Sequence, residues 1–160
     1  MDENFRLKLA LEEARNTYDI HSHTSDILDR KAAGLLSSAS LIVGLFSLLE
    51  LNSMFSSENK IFIFLFLIIL GLYFFLLLNI ILAINPRDYR TPIGTAEFDE
   101  ILIEQPPTMA LESIKIGYIA SAEKYKENNQ KKSNRVRAAS WLLFAIAALV
   151  FILLLSPQLT

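Results

Sequence analysis

Residues 26–50 read DILDRKAAGLLSSASLIVGLFSLLE. The stretch opens as charged, water-facing sequence and turns into membrane sequence with no helix breaker between. After Lys31 no charge appears until Glu50. An apolar run of roughly 20 residues is what a helix needs to cross a bilayer. The crossing has to be helical, because hydrocarbon offers no partners for free backbone N–H and C=O groups. At helical spacing, Gly34, Ser37, Ser40, Gly44 and Ser47 fall on one side, and Leu35, Ala39, Ile42, Phe46 and Leu49 on the other. Small residues let a second helix approach closely, and serine hydroxyls can bond across such a contact. The same residues suit the wall of a narrow water-filled pore. In a pore built from several copies, Glu50 would form a carboxylate ring that favours cations.

Outward from this stretch, the chain holds two further apolar blocks, 61–84 and 138–155. With 52% hydrophobic residues gathered into three blocks rather than dispersed, the 160-residue chain is expected to be an all-α integral membrane protein. The net charge of −2 gives no whole-chain field for duplex nucleic acid. The absence of cysteine excludes disulfides, thiolate metal sites and a cysteine nucleophile. A Met-Asp-Glu start and a late first apolar run do not fit a cleaved signal peptide, and neither end carries a lipidation motif.

Residues 1–31 form an amphipathic cytosolic helix. Leu7, Leu11, Ala14, Tyr18, His21, Ser25 and Leu28 alternate at spacings of four and three. The register continues through Ala32, Leu35, Ala39, Ile42, Phe46 and Leu49, so one long helix is expected to run through a first span at 32–51. The polar stretch 51–60 then makes a hairpin turn. The second span, 61–84, is apolar all round and is expected against lipid. Its Asn79 is expected to bond a neighbouring helix. The segment 86–137 is a cytosolic insertion, with an acidic helix from Thr95 to Gln105 followed by a long helix capped by Thr108. Leu111, Ile114, Tyr118, Ser121, Tyr125 and Asn128 mark its inner side. These two helical seams are expected to pack together, within or between copies. The long helix runs on into a third span at 138–155.

Lysine and arginine set the orientation. The 51–60 turn holds only Lys60, whereas 1–31 holds five such residues and 86–137 holds nine. By the positive-inside rule the N-terminus and the insertion are cytoplasmic, and the C-terminus lies outside. The architecture expected is three spans with a cytosolic helical stalk made from two membrane-continuous helices.

The chemistry is sparse. Asp19, His21 and His23 look like a metal cluster, but His21 and His23 point about 200° apart on a helix. Asp19 and His23 alone do not make a site. Arg15 and His21 fit the R-x5-H spacing of helical ribonuclease dimers, where arginine holds phosphate and histidine moves protons. No phosphate-binding loop, nucleophile elbow or H-E-x-x-H occurs, so neither a catalytic site nor a cofactor is expected. Lys131, Lys132, Arg135 and Arg137 sit just inside the membrane. They read as a positive belt on anionic lipid or, in an oligomer, as a phosphate-binding collar on which Tyr118 and Tyr125 stack bases.

The L-D-R-K-A-A-G-L-L approach to the first span, the aromatic second span, and the helix A-S-A-E-K-Y-K-E-N-N-Q-K-K-S-N-R-V-R-A-A-S-W-L-L entering the last carry a resemblance in layout. The layout resembles small bacterial membrane effectors of nucleotide-signalling antiphage systems, the SLATT-type proteins and the transmembrane effectors of Pycsar-like systems. The resemblance implies a homo-oligomeric channel or membrane-disrupting effector. It also implies control by a cyclic or oligo-nucleotide that a partner nucleotidyltransferase or cyclase makes. The competing reading is a non-conducting membrane anchor or sensor whose stalk docks a cytosolic protein.

Overall fold

A computed structural model describes residues 3–48, 60–85 and 105–155, together with Pro92 and Ile101. Side chains are described for 5–44, 63–85, 92, 101 and 105–153. The described residues form three helices and no strand: α1 (Glu3–Leu48), α2 (Lys60–Ile84) and α3 (Pro107–Leu155). The chain divides into two compact units. The first is Met1–Leu28 with Pro86–Lys131, and the second is Asp29–Asn85 with Lys132–Thr160.

In the first unit, the N-terminal parts of α1 and α3 lie side by side and run parallel. Tyr18 meets Tyr118 and Tyr125, and the Asn129 side chain reaches the His21 carbonyl. The expected seams pack together here within one chain. Along α1, Ala14, Ser25 and Leu28 are buried and Leu7, Leu11, Tyr18 and His21 are half-buried. Along α3, Ala110, Ile114, Ser121, Ala122, Asn128 and Asn129 are buried. The start of α3 differs from expectation. Ala110 N–H donates to the Pro106 carbonyl at 3.0 Å, which makes Pro106 the cap and Pro107 the first helical residue. Proline suits that position because its φ is already helical and its missing N–H would have no intrahelical partner. Thr108 therefore sits inside the first turn. Of the expected acidic helix at 95–105, only Ile101 and Gln105 are described, and Gln105 N–H closes one turn on the Ile101 carbonyl at 3.3 Å. Its remaining residues lie outside the described residues.

In the second unit, three helices meet. Ala39 of α1, Ile69, Leu76 and Ile80 of α2, and Ala139, Ile146, Val150 and Leu153 of α3 form one buried cluster. Ala32, Ala83 and Val136 form a second. Ala32, Ala39, Ala83 and Ala139 have no exposed surface at all. An alanine from each helix lets the three backbones approach closely, which is how packing holds helices together where lipid removes the hydrophobic drive. The all-round apolar α2 is thus one-sided in its contacts. Ile69, Leu76, Ile80 and Ala83 face the core, while Phe64, Leu67, Phe74 and Ile81 face out. Asn79 also differs from expectation, because its Nδ2 donates at 2.9 Å to the Phe75 carbonyl of its own helix. That bond commits one of the amide's two N–H donors to its own helix.

Two of the helices are long and apolar enough to cross a membrane, through Ile63–Ile84 and Pro107–Leu153. Only 17% and 28% of their most apolar windows is buried, whereas the core helix of a soluble protein is mostly buried. Trp141, Phe144, Phe151 and Ile152 add to the outward apolar surface of α3. The expected 32–51 span is helical to Leu48, and its last residues lie outside the described ones.

Candidate functional site

The basic stretch 131–137 does not present one surface. Lys132 is buried to 2% exposure, and its Nζ donates to both carboxylate oxygens of Asp29, at 2.8 and 2.9 Å. Lys131 is exposed and pairs along its own helix with Glu127. Arg135 is half-buried and Arg137 exposed. An ammonium taken out of water is tolerated only when paired and hydrogen-bonded, and Asp29 supplies both. The seam of α3 carries the signal for this. Positions 111, 114, 118, 121, 125 and 128 continue at the same spacing to 132, so Lys132 had an inward address all along.

The two candidate base-stacking tyrosines are occupied by a third. Tyr18 meets Tyr118 edge-on, with ring centroids 5.6 Å apart at 77°, and Tyr125 at 5.4 Å and 87°. This edge-to-face geometry suits the ring quadrupoles. Burial, first, and then a side-chain hydrogen bond with Tyr125 push the Tyr18 hydroxyl up from its ordinary value to about 12. The site therefore holds a neutral phenol.

Beside the triad runs a groove of about 490 Å³. Ala10, Ala14, Ile119 and Ala122 line its apolar part, Thr17 and His21 the polar part, and Glu13, Lys115, Glu123 and Lys126 its rim. Arg15 lines a different groove, with Leu9, Asn16 and Asp19, so one chain does not bring Arg15 and His21 together. His21 contributes its backbone carbonyl to the helix pairing, accepting from Asn129 Nδ2 at 2.7 Å. His23 and Asp19 are exposed. Among the described residues no group of three or more His, Cys, Asp or Glu side chains converges on a metal position.

The small-residue side of α1 lies outside the three-helix core. Leu35 and Ile42 pack on the core and Ala39 belongs to it, whereas Gly34, Ser37, Ser40 and Gly44 are exposed. The hydroxyls of Ser37, Ser38 and Ser40 donate to the carbonyls of Ala33, Gly34 and Leu36, at 3.2, 3.0 and 3.0 Å. The Ser47 side chain and Glu50 lie outside the described residues. No protein-family model, curated protein or solved structure matches this chain.

Proposed function

We propose that the chain is a three-span protein of a bacterial plasma membrane, with its N-terminus cytoplasmic and its C-terminus outside. Identical copies assemble into an effector that conducts ions or disrupts the membrane. One observation carries this reading: α1 turns a stripe of glycine and serine outward beside its exposed Leu36, Leu41 and Val43. α2 and α3 turn Phe64, Phe74, Trp141, Phe144 and Phe151 outward, which suits lipid. α1 turns Gly34, Ser37, Ser40 and Gly44 outward. Backbone-bonded serines are tolerated by hydrocarbon but gain nothing from it. Facing other copies around an axis, they allow close approach and line a narrow polar path.

Regulation by a cyclic or oligo-nucleotide belongs to the same proposal. Its phosphates would meet Arg137, Arg135 and Lys131 first, and would take Lys132 only by displacing the Asp29 carboxylate. Purified protein reconstituted into liposomes should release trapped ions, with or without added nucleotides, and Ser37→Leu with Ser40→Leu should abolish the release. A verified insertion that releases nothing under any condition favours the second reading, a non-conducting anchor. The exposed apolar residues Phe5, Leu9, Ile20, Met109 and Ile116 of the first unit give that anchor a surface for a protein partner.

A further inference from the structure

We infer that the outward face of α3 in the second unit holds an anionic phospholipid, with the headgroup phosphate on Arg137 and the acyl chains along Trp141, Phe144 and Phe151; this rests on the reading of the chain as a membrane protein. The charges of that unit are unevenly placed. Apart from Glu50, Glu58 and Lys60 around the 51–60 turn, they are Asp29, Arg30, Lys31, Lys132, Arg135 and Arg137. Asp29 is the one acid among these six, and both of its carboxylate oxygens accept from Lys132 on the inward side of α3. The other four cations make no ion pair among the described residues. On α3 itself the nearest acid to Arg137 is Glu127, ten residues and about 15 Å before it, and Glu127 pairs with Lys131. Arg87, Asp88 and Arg90, which follow α2 in sequence, sum to one further positive charge. The surplus lies at the edge of the apolar blocks, where the phosphates of anionic lipid supply the counter-charge.

The surface below Arg137 singles it out. Arg137, Trp141, Phe144, Ala148 and Phe151 recur at spacings of four and three, so they form one stripe along α3. All five are exposed, Trp141 and Phe144 at 69% each. Val136, Ala139, Ile146 and Val150 face the core on the other side. At 1.5 Å per residue, Trp141 lies about 6 Å and Phe144 about 10 Å further into the apolar block than Arg137. Guanidinium, indole and phenyl ring therefore follow the order of phosphate, interface and hydrocarbon in a phospholipid. The planar fork of arginine suits phosphate oxygens, and tryptophan favours the interface. Trp141 and Phe144 meet edge-on, with ring centroids 6.3 Å apart at 88°. Ala148 leaves a notch between Phe144 and Phe151 for a chain. Neither of the other helices offers both halves among the described residues. α2 turns Phe64 and Phe74 outward but carries no described cation at that end. α1 carries Arg30 and Lys31 before residues 32–44, which hold no aromatic ring.

Trp141 is the single tryptophan of the chain, so its fluorescence reports this stripe alone. In vesicles of phosphatidylcholine brominated on its acyl chains the emission should be quenched. Admixed unbrominated phosphatidylglycerol should restore it beyond its mole fraction, with a preference of about fivefold, as one cation near an anionic surface supplies. Arg137→Gln should bring the preference close to one, while Arg30→Gln and Arg135→Gln should each leave most of it. ATP added in place of the anionic lipid should restore nothing, because it brings no chain to the indole. Recovery that only follows mole fraction in wild type, recovery with ATP alone, or equal losses in the three variants overturns the site and leaves the membrane protein standing. Emission that brominated lipid does not quench, in a chain that floats with the vesicles, also overturns the site, because a second copy or another protein then covers the stripe. A chain that does not float with the vesicles overturns both.

Discussion

Lys132 and Asp29 are unequal partners. The lysine side chain is 2% exposed, and the aspartate side chain is 43% exposed. Removing the aspartate takes the neutralising carboxylate from a buried cation, while removing the lysine leaves a carboxylate that water can solvate. Asp29→Asn should therefore destabilise by about 1–3 kcal/mol, the cost of weakening the hydrogen bonding of a buried charged group. Lys132→Met should cost less, and the double variant should resemble Lys132→Met alone. Thermal unfolding in detergent reads the difference, and equal losses for the two single variants would refute the asymmetry. This pair was only half legible in the sequence. Counting charge assigns all four cations of 131–137 to one surface, because composition says nothing about direction. The direction is written in the spacing of the neighbours, and it singles out Lys132 alone.

At the level of the helices, the four-three alternation from Leu7 to Ile42 was legible because every position it names is buried or half-buried. On α3 the alternation slips. Asn128, Lys132 and Val136 are buried at two successive steps of four before Ala139 restores the step of three. Such a stutter locally unwinds the supercoil, and a pattern search that demands strict alternation loses the trail there. The cap of α3 was misplaced by two residues because threonine and proline both mark helix beginnings, in different roles. The tyrosine triad is where the two seams grip, and it makes the grip sensitive to alkali. A free tyrosine ionises near pH 10, whereas Tyr18 in the folded pair ionises at about 12. Below about pH 10 both states are neutral and the contribution of Tyr18 is intact. As pH rises toward about 12 the unfolded chain loses the proton first, and the contribution fades. Tyr18→Phe lacks that term, so the stability advantage of wild type over the variant should shrink across this window. Parallel losses in the two proteins, followed by circular dichroism, would show that Tyr18 is not the responsive group.

For the molecule as a whole, the proposed topology rests on a turn with one lysine set against two segments rich in lysine and arginine. A membrane-impermeant thiol reagent should label Ser56→Cys in intact cells, and Gln130→Cys only after the cells are opened. Gln130 is exposed in the fold, so silence there reports sidedness rather than burial. Labelling of Gln130→Cys in sealed cells would reject the topology. The helical class was legible in the three apolar blocks, since their length and continuity are physical requirements of a bilayer. The proposed function rests on layout, because the residues named for chemistry are ordinary ones whose meaning depends on what each side chain meets. The parallel pairing of α1 with α3 also sets a timetable. The bonds that join them close between residues 103 and 108 positions apart, with the whole of α2 in between. At synthesis rates of about 5–20 residues per second, the first helix waits roughly 5–20 s for its partner to leave the ribosome. During that wait Leu7, Leu11, Tyr18 and Leu28 have no cover from their own chain. Where several ribosomes translate one message side by side, the nearest finished α3 belongs to another copy, so exchange of partners between newborn chains competes with self-pairing from the start.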